Sequence, residues 1–317
     1  MKIVIPGGSG QVGGVLARAL AAGGHDVVVV SRNGGAAAGR SVTWDGRTPG
    51  PWAAEVDGAD VVINLAGRSV NCRYSEANKH AMMSSRVEST RAVGLAIAGA
   101  ARPPRVWLQM STATIYAHRF DAPNDEATGR IGGEEPDAPA SWRHSIAIAK
   151  AWEGALAEAA TPATRKVAMR AAMVMSPDPG GVFEALLGLV RRRLGGTIAG
   201  GRQWMSWIHE RDFVRAVEWL IARDEVSGAV NVAAPNPLPQ REFMAALRAA
   251  WGVRVGLPAA AWMARLGAFF LRTETELVFK SRRVIPGRLR DAEFAFEFPT
   301  WPGAAADLVA RWRQRAR

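Results

Sequence analysis

Three glycines at a fixed interval carry the first chemical suggestion in this 317-residue chain. Gly7, Gly10 and Gly13 fall within Gly7-Gly8-Ser9-Gly10-Gln11-Val12-Gly13. An apolar, strand-like run (Lys2 to Ile5) precedes them, and a helical pattern (Val15 to Leu20) follows. A strand, a glycine turn and a helix N-terminus form an anion site, where unpaired backbone N–H groups and the positive end of the helix dipole face a phosphate. Gly7 permits the tight turn, Gly10 lets backbone approach a pyrophosphate, and Gly13 lets the helix pack closely on the strand. The chemistry predicted is dinucleotide binding; a glycine turn without a ligand is the plainer alternative, and the placement between strand and helix weighs against it. At the end of the second strand, where an acidic residue would bind the ribose hydroxyls of NAD, the chain carries Ser31-Arg32-Asn33. Arg32 can pair with a 2′-phosphate through charge-assisted hydrogen bonds, which predicts NADP(H). The alternative is an ordinary surface arginine. Leu65-Ala66-Gly67 offers small side chains where an adenosine ribose must approach, or simply close packing at a strand end.

These residues need elements to hold them, and strand-like and helical runs alternate along the chain. Strands are predicted at 25–30, 41–44, 60–64, 105–110, 166–174 and 229–232, and helices at 75–100, 142–159 and 240–251. Residues 117–141, rich in Asp, Glu, Pro and Gly, read as a loop. The alternation predicts an α/β fold, a doubly wound parallel sheet of Rossmann type with a smaller C-terminal α/β, substrate-side domain. The dinucleotide-binding domain is expected over 1–174 with a returning segment at about 205–232. The second domain is expected over 175–204 and 233–317.

Composition excludes several function classes. A hydrophobic content of 48% fills a sizeable core. The net charge of +11 comes from 40 basic residues, of which five are lysine. The arginines are dispersed, which reads as compositional bias rather than a nucleic-acid surface. A single cysteine, Cys72, rules out an internal disulfide, and no metal site is expected. The apolar stretch Leu257 to Leu271 is interrupted by Arg265 and falls short of the roughly 20 residues of a membrane span, so a core helix is expected there rather than a membrane contact. With the first strand starting at residue 2, the expected location is cytoplasmic.

The chain resembles the extended short-chain dehydrogenase/reductase superfamily, NAD-dependent epimerase/dehydratase-like. The resemblance rests on the glycine turn, Asp60-Val61-Val62-Ile63-Asn64-Leu65-Ala66-Gly67, Ser111-Thr112-Ala113-Thr114-Ile115-Tyr116 and Trp207-Ile208-His209-Glu210-Arg211-Asp212. It is most similar to an epimerase-like subfamily with a C-terminal domain of unknown function (DUF1731 type). The marks of that subfamily include Gly201-Arg202-Gln203-Trp204 and Arg282-Arg283-Val284-Ile285-Pro286. The resemblance implies that Arg86 lies near phosphate and Val174 beside the nicotinamide end. It implies that Gln203, Trp204 and Ser206 line the substrate pocket, that Thr112 is the catalytic hydroxyl, and that Asp212 caps the helix beginning near Phe213. The superfamily's Tyr-x-x-x-Lys pair is missing: the only tyrosines are Tyr74 and Tyr116, with Asn78 and Phe120 four residues on. Aligning the expected helix on Trp152-Glu153 puts Ser145 at the tyrosine position and Ala149 at the lysine position, with Lys150 about 100° around the helix. Substitute proton donors are Tyr116, His118 and His144. Two readings follow: an NADP(H)-dependent, epimerase-like oxidoreductase of a small molecule, compatible with a homodimer, or a non-catalytic NADP(H)-binding regulator or scaffold.

Overall fold

The computed structural model describes residues 1–136, 139–263 and 276–315. Residues 264–271 of the apolar C-terminal stretch lie outside the described residues. The first half builds β1 (Lys2–Pro6), α1 (Gln11–Ala22), β2 (Asp26–Ser31), β3 (Arg40–Thr43), β4 (Val61–Asn64), α2 (Glu76–Ala98), β5 (Val106–Thr112) and α3 (Ala140–Glu158). The chain continues through β6 (Arg165–Ala171), β7 (Met173–Met175), α4 (Val182–Arg191), β8 (Trp204–Met205), β9 (Trp207–His209), α5 (Glu210–Ala222) and β10 (Gly228–Val232). It ends with β11 (Leu238–Pro239), α6 (Gln240–Trp251), α7 (Glu276–Phe279), α8 (Gly287–Asp291) and α9 (Trp301–Arg315).

Seven strands form one sheet in the order β10-β6-β5-β4-β1-β2-β3, with every pairing parallel. The order reverses between β1 and β4, so the strand ends there open a crevice for a ligand. β1 explains its own place: Ile3, Val4 and Ile5 are fully buried, as a central parallel strand covered on both faces requires. Their side chains alternate between faces. Ile3 and Ile5 join Leu16, Leu20, Phe213 and Val217 under α1 and α5. Val4 joins Val28, Val62, Val93 and Trp107 under α2. A third apolar cluster unites α4, α6 and α9, where the Trp301 ring stacks on Phe243 at 3.9 Å and its indole N–H donates to the Phe243 carbonyl at 2.8 Å.

The structure corrects two expectations. The predicted strand 166–174 is two strands. β6 ends where its neighbour β10 ends, Ala172 donates to Val232, and β7 leaves the sheet to pair with β9. Asp212 does not cap a helix. α5 begins at Glu210, and its cap is His209, whose Nδ1 accepts from the Arg211 amide at 3.1 Å. Asp212, fully buried, instead accepts from the Glu297 and Phe298 amides at 2.7 and 2.8 Å and so docks the C-terminal segment onto α5.

His209 is fully buried, and burial holds its pKa down at about 4 against the raising effect of its Asp307 partner. An unfolded histidine takes its proton near pH 6.5, so between those values acid favours the unfolded chain. Stability to urea is expected to fall as pH drops from 6.5 towards 4. The slope should be shallower in His209→Asn, which keeps a capping side chain; equal slopes would contradict this account.

Candidate functional site

The glycine turn joins three strands. Gly7 has φ +79°, donates to the Val30 carbonyl at 2.8 Å, and lies so close to the end of β4 that a Cβ would sit 2.5 Å from the Ala66 nitrogen. A Cβ on Gly13 would come within 2.4 Å of the Gly8 carbonyl oxygen. Gly10 differs: a Cβ there would meet only the Gly7 oxygen, at 3.7 Å, so the space above it is open. α1 starts with no capping side chain and no acidic residue in its first turn, which leaves the amides of Gln11, Val12 and Gly13 directed at an anion. Ser9 is exposed beside them, while the Gln11 side chain lies against Gly181, its Nε2 buried without a hydrogen bond.

Two arginines flank this turn. Arg32 is exposed just beyond β2, next to Ser31, whose buried Oγ has no hydrogen-bond partner among the described residues. Arg86 reaches from α2 towards Gly67, with its guanidinium 4.9 Å from the Trp152 ring centroid, and donates to the Met82 carbonyl at 3.0 Å. Burial lowers its pKa to about 10, so it remains a cation at neutral pH. Among the described residues, neither arginine has a carboxylate within ion-pair distance. Leu65 and Ala66, half-buried, form the floor between them; the Ala66 amide is held by Asn64 Oδ1 at 3.0 Å. These groups fit a dinucleotide phosphate chain and a further phosphate near Arg32.

At the other end of the crevice, β5 ends in Thr112, half-buried, whose hydroxyl oxygen accepts from the Thr114 amide at 3.2 Å. Tyr116 is 2% exposed, donates to Asn231 Oδ1 at 2.9 Å and accepts from Arg170 at 3.0 Å. Burial pushes its phenol above the usual range. Arg170 also bonds Glu153 at 2.9 and 2.8 Å, and Glu153 accepts from Ser111 at 2.6 Å. Tyr116 is thus committed to an interior network. His118 is committed too: its Nδ1 accepts from the Ser281 amide at 2.8 Å. His144 packs edge-on to Tyr74, with ring centroids 6.3 Å apart.

The aligned helix positions resolve differently. Ala149 is fully buried against Ala113, Ile115, Tyr116 and Val284. Lys150 is exposed on the surface beside Gly133. Ser145 donates to Glu276 Oε2 at 2.5 Å and lies 3.4 Å from the Tyr74 hydroxyl. Val174, 8% exposed, packs in the core on β7. Of the expected pocket residues, Gln203 is buried and donates to the Ile198 carbonyl at 3.2 Å. The Trp204 ring carries the Arg283 guanidinium 4.1 Å from its centroid. Ser206 donates to the Arg282 carbonyl at 2.7 Å and accepts from the Val284 amide at 2.8 Å. Trp204 and Ser206 hold segment 281–284 in place, and Gln203 braces the loop before them.

That segment brings in two charges that sequence reasoning missed, Glu276 and Lys280, each 1% exposed. Lys280 donates to the Thr114 carbonyl at 2.8 Å, and burial lowers its pKa to about 8. The available signal was their i, i+4 spacing, which puts opposite charges on one helical face.

The sequence profile described as the NAD dependent epimerase/dehydratase family matches residues 3–233, and the domain of unknown function DUF1731 matches 259–308. The human epimerase family protein SDR39U1 is 30% identical over 313 residues, covering 98% of this chain and all of that protein. Epimerase family protein YfhF from Bacillus subtilis (strain 168) is 28% identical over 322 residues, with 98% of each covered. A crystal structure of human SDR39U1 (isoform 2) with NADPH superposes with a TM-score of 0.85 at 28% identity, covering 98% of this chain and 99% of that one. Among the described residues, no helix is long and apolar enough to cross a membrane.

Proposed function

This chain belongs to the NAD dependent epimerase/dehydratase family, and from that premise we propose that it is an NADP(H)-binding, epimerase-like oxidoreductase of a small molecule, working in the cytoplasm. The observation that carries the reading is the pair Arg32 and Arg86: two cations beside an open glycine turn, with no carboxylate within ion-pair distance among the described residues. The turn from Gly7 to Gly13 would hold the pyrophosphate. Ser31 and Arg32 would hold the 2′-phosphate, Leu65 to Gly67 would face the adenosine ribose, and Arg86 would neutralise charge from above. The NADPH in the SDR39U1 crystal structure supports this choice of nucleotide.

When bound, the dinucleotide supplies hydride exchange with carbon. This chain's own residues then orient the substrate oxygen: Thr112, at the end of β5, offers its hydroxyl hydrogen to a carbonyl while its lone pair is held by the Thr114 amide. Segments 175–204 and 233–263 and the residues from 276 on would close the substrate side.

Arg32→Ala is expected to weaken NADPH binding about 10–100-fold, the loss of one or two charge-assisted hydrogen bonds, and to leave NADH affinity nearly unchanged. Calorimetric titration of both nucleotides checks this; tighter binding of NADH than of NADPH by the wild type would refute the assignment. One observation favours a second reading, an NADP(H)-binding regulator without turnover: neither Tyr116 nor Lys150 is placed as an acid–base pair. NADPH consumption with a panel of carbonyl compounds separates the two. Thr112→Ala should abolish turnover while leaving NADPH affinity intact.

A further inference from the structure

Seen from the turn that follows Thr112, the C-terminal segment covers the reaction end with a buried polar cluster. Glu276 lies at its centre, 1% exposed. Its Oε2 accepts the 2.5 Å hydrogen bond from Ser145 on α3, and Tyr74, from the segment between β4 and α2, completes a chain at 3.4 Å from Ser145 Oγ. Tyr74 and Ser145 are half-buried, so the chain runs from partly exposed hydroxyls to an interior carboxylate.

A buried carboxylate serving only structure saturates its lone pairs. Glu276 does not: its Oε1 is buried without a hydrogen bond among the described residues. That oxygen is held in ion pairs alone, with Lys280 at 3.6 Å and Arg282 at 4.0 Å. Lys280 directs its short hydrogen bond to the Thr114 carbonyl instead, and Arg282 donates to Thr114 Oγ1 at 3.2 Å. The cluster therefore holds a carboxylate next to a half-open hydroxyl, with positive charge near but not capping it. A hydroxyl beside a buried base is the arrangement that moves protons.

We propose that Tyr74, Ser145 and Glu276 form the acid–base relay of this site, with Ser145 touching the substrate oxygen and Glu276 acting through it. The proposal rests on the oxidoreductase reading above. A substrate hydroxyl placed at Ser145 passes its proton to Ser145 Oγ as the Oγ proton passes to Glu276 Oε2. At each transfer one O–H bond breaks and one forms, and the hydride partner is the nicotinamide dinucleotide. In the reverse direction Ser145 returns a proton to the oxygen of a carbonyl being reduced. Glu276 is thus a positioning and proton-accepting residue, lent to the Rossmann part by the C-terminal part. Among the described residues, the charged groups facing it are Lys280 and Arg282, and Tyr74 also faces the ionisable ring of His144, 6.3 Å away between centroids, so the titration below is repeated with His144→Phe added to each variant.

The test exploits the presence of only two tyrosines. The full chain is labelled with carbon-13 at the phenolic carbon of tyrosine, and the resonance lost in Tyr74→Phe is that of Tyr74. Its shift is followed against pH in the wild type, Glu276→Gln, Ser145→Ala and Glu276→Asp. The wild type should show an inflection separate from phenol ionisation. That inflection should vanish in Glu276→Gln and also in Ser145→Ala, which keeps the carboxylate but cuts the chain, and it should persist in Glu276→Asp. An inflection missing from the wild type, or retained in Ser145→Ala, overturns the relay. NADPH affinity, measured on the same samples, should stay within about threefold in the Ser145 and Glu276 variants, since neither residue is among the groups assigned to the phosphates. Failure of the wild type to bind NADPH would instead defeat the dinucleotide reading and leave the titration to be judged by itself. For any carbonyl compound the wild type reduces, Glu276→Gln and Ser145→Ala should each lower the rate about 100-fold, the usual contribution of a positioned acid or base. Glu276→Asp should recover part of it.

Discussion

Gly13→Ala is expected to abolish NADPH binding at accessible concentrations, a loss of at least about 100-fold, and to lower the melting temperature as well. The added methyl would stand 2.4 Å from the Gly8 backbone oxygen, and a backbone atom cannot swing aside as a long side chain can. α1 must move away from the turn, and its first amides move with it. Losing two hydrogen bonds to an ionised phosphate costs about 3–6 kcal/mol, which sets the scale. Gly10→Ala is the matched control. Its φ of −73° suits alanine, and the methyl meets only one atom, at 3.7 Å. The Gly10 variant should therefore fold with stability within about 0.5 kcal/mol of the wild type. It should still bind NADPH more than about tenfold more weakly, because the methyl would fill the space a pyrophosphate needs. Thermal melts alongside calorimetric titration distinguish the two. Equal losses of stability in both variants would contradict the geometry of the turn.

Arg170→Met is expected to produce the largest loss of stability, about 3–5 kcal/mol, the cost of stranding a buried charge. Arg170 and Glu153 retain only 12% and 18% of their side-chain exposure, and Arg170 also supports the Tyr116 hydroxyl. Removing the guanidinium leaves Glu153 with Ser111 alone and takes a donor from Tyr116. A melting temperature about 10 °C lower is the corresponding observable in circular dichroism. The double variant Arg170→Met, Glu153→Gln should recover part of the loss, because no net charge is then stranded. No recovery would point to shape rather than charge as the role of Arg170.

The parts of this molecule that read clearly from sequence depend on neighbours in the chain. The glycine turn lies within seven residues, and each glycine answers to a contact that the strand–turn–helix order already implies. The strands β1, β2, β4 and β10 could be placed to within a residue or so because runs such as Val27 to Val30 are buried on both faces. The split of β6 from β7 was not legible. Val167 to Val174 is apolar apart from Arg170, and only the end of the neighbouring strand fixes where the sheet stops. Asp212 misled because a carboxylate in the first turn of a helix ordinarily serves that helix, whereas its real partners lie 85 and 86 residues further on. Ser145 was placed at the tyrosine position by anchoring the expected helix on Trp152-Glu153. Its partner Glu276 stands 131 residues away, in a part of the chain with no periodic pattern leading to it. Pairings of that range are made by topology, and topology is not written in spacing.

The long reach of Asp212 has a consequence in time. Its carboxylate emerges from the ribosome 85 residues ahead of the first amide it will bind. At about 5–20 residues per second, that leaves roughly 4–17 s in which the nucleotide-binding sheet can assemble while Asp212 still faces water. Synthesis thus separates two events that the finished protein presents together: the half that grips the dinucleotide can form first, and the half that lends Glu276 to it locks on afterwards. A nascent chain stalled before residue 276 should retain the nucleotide grip and lack the closed reaction end, a division of labour set by the clock of translation.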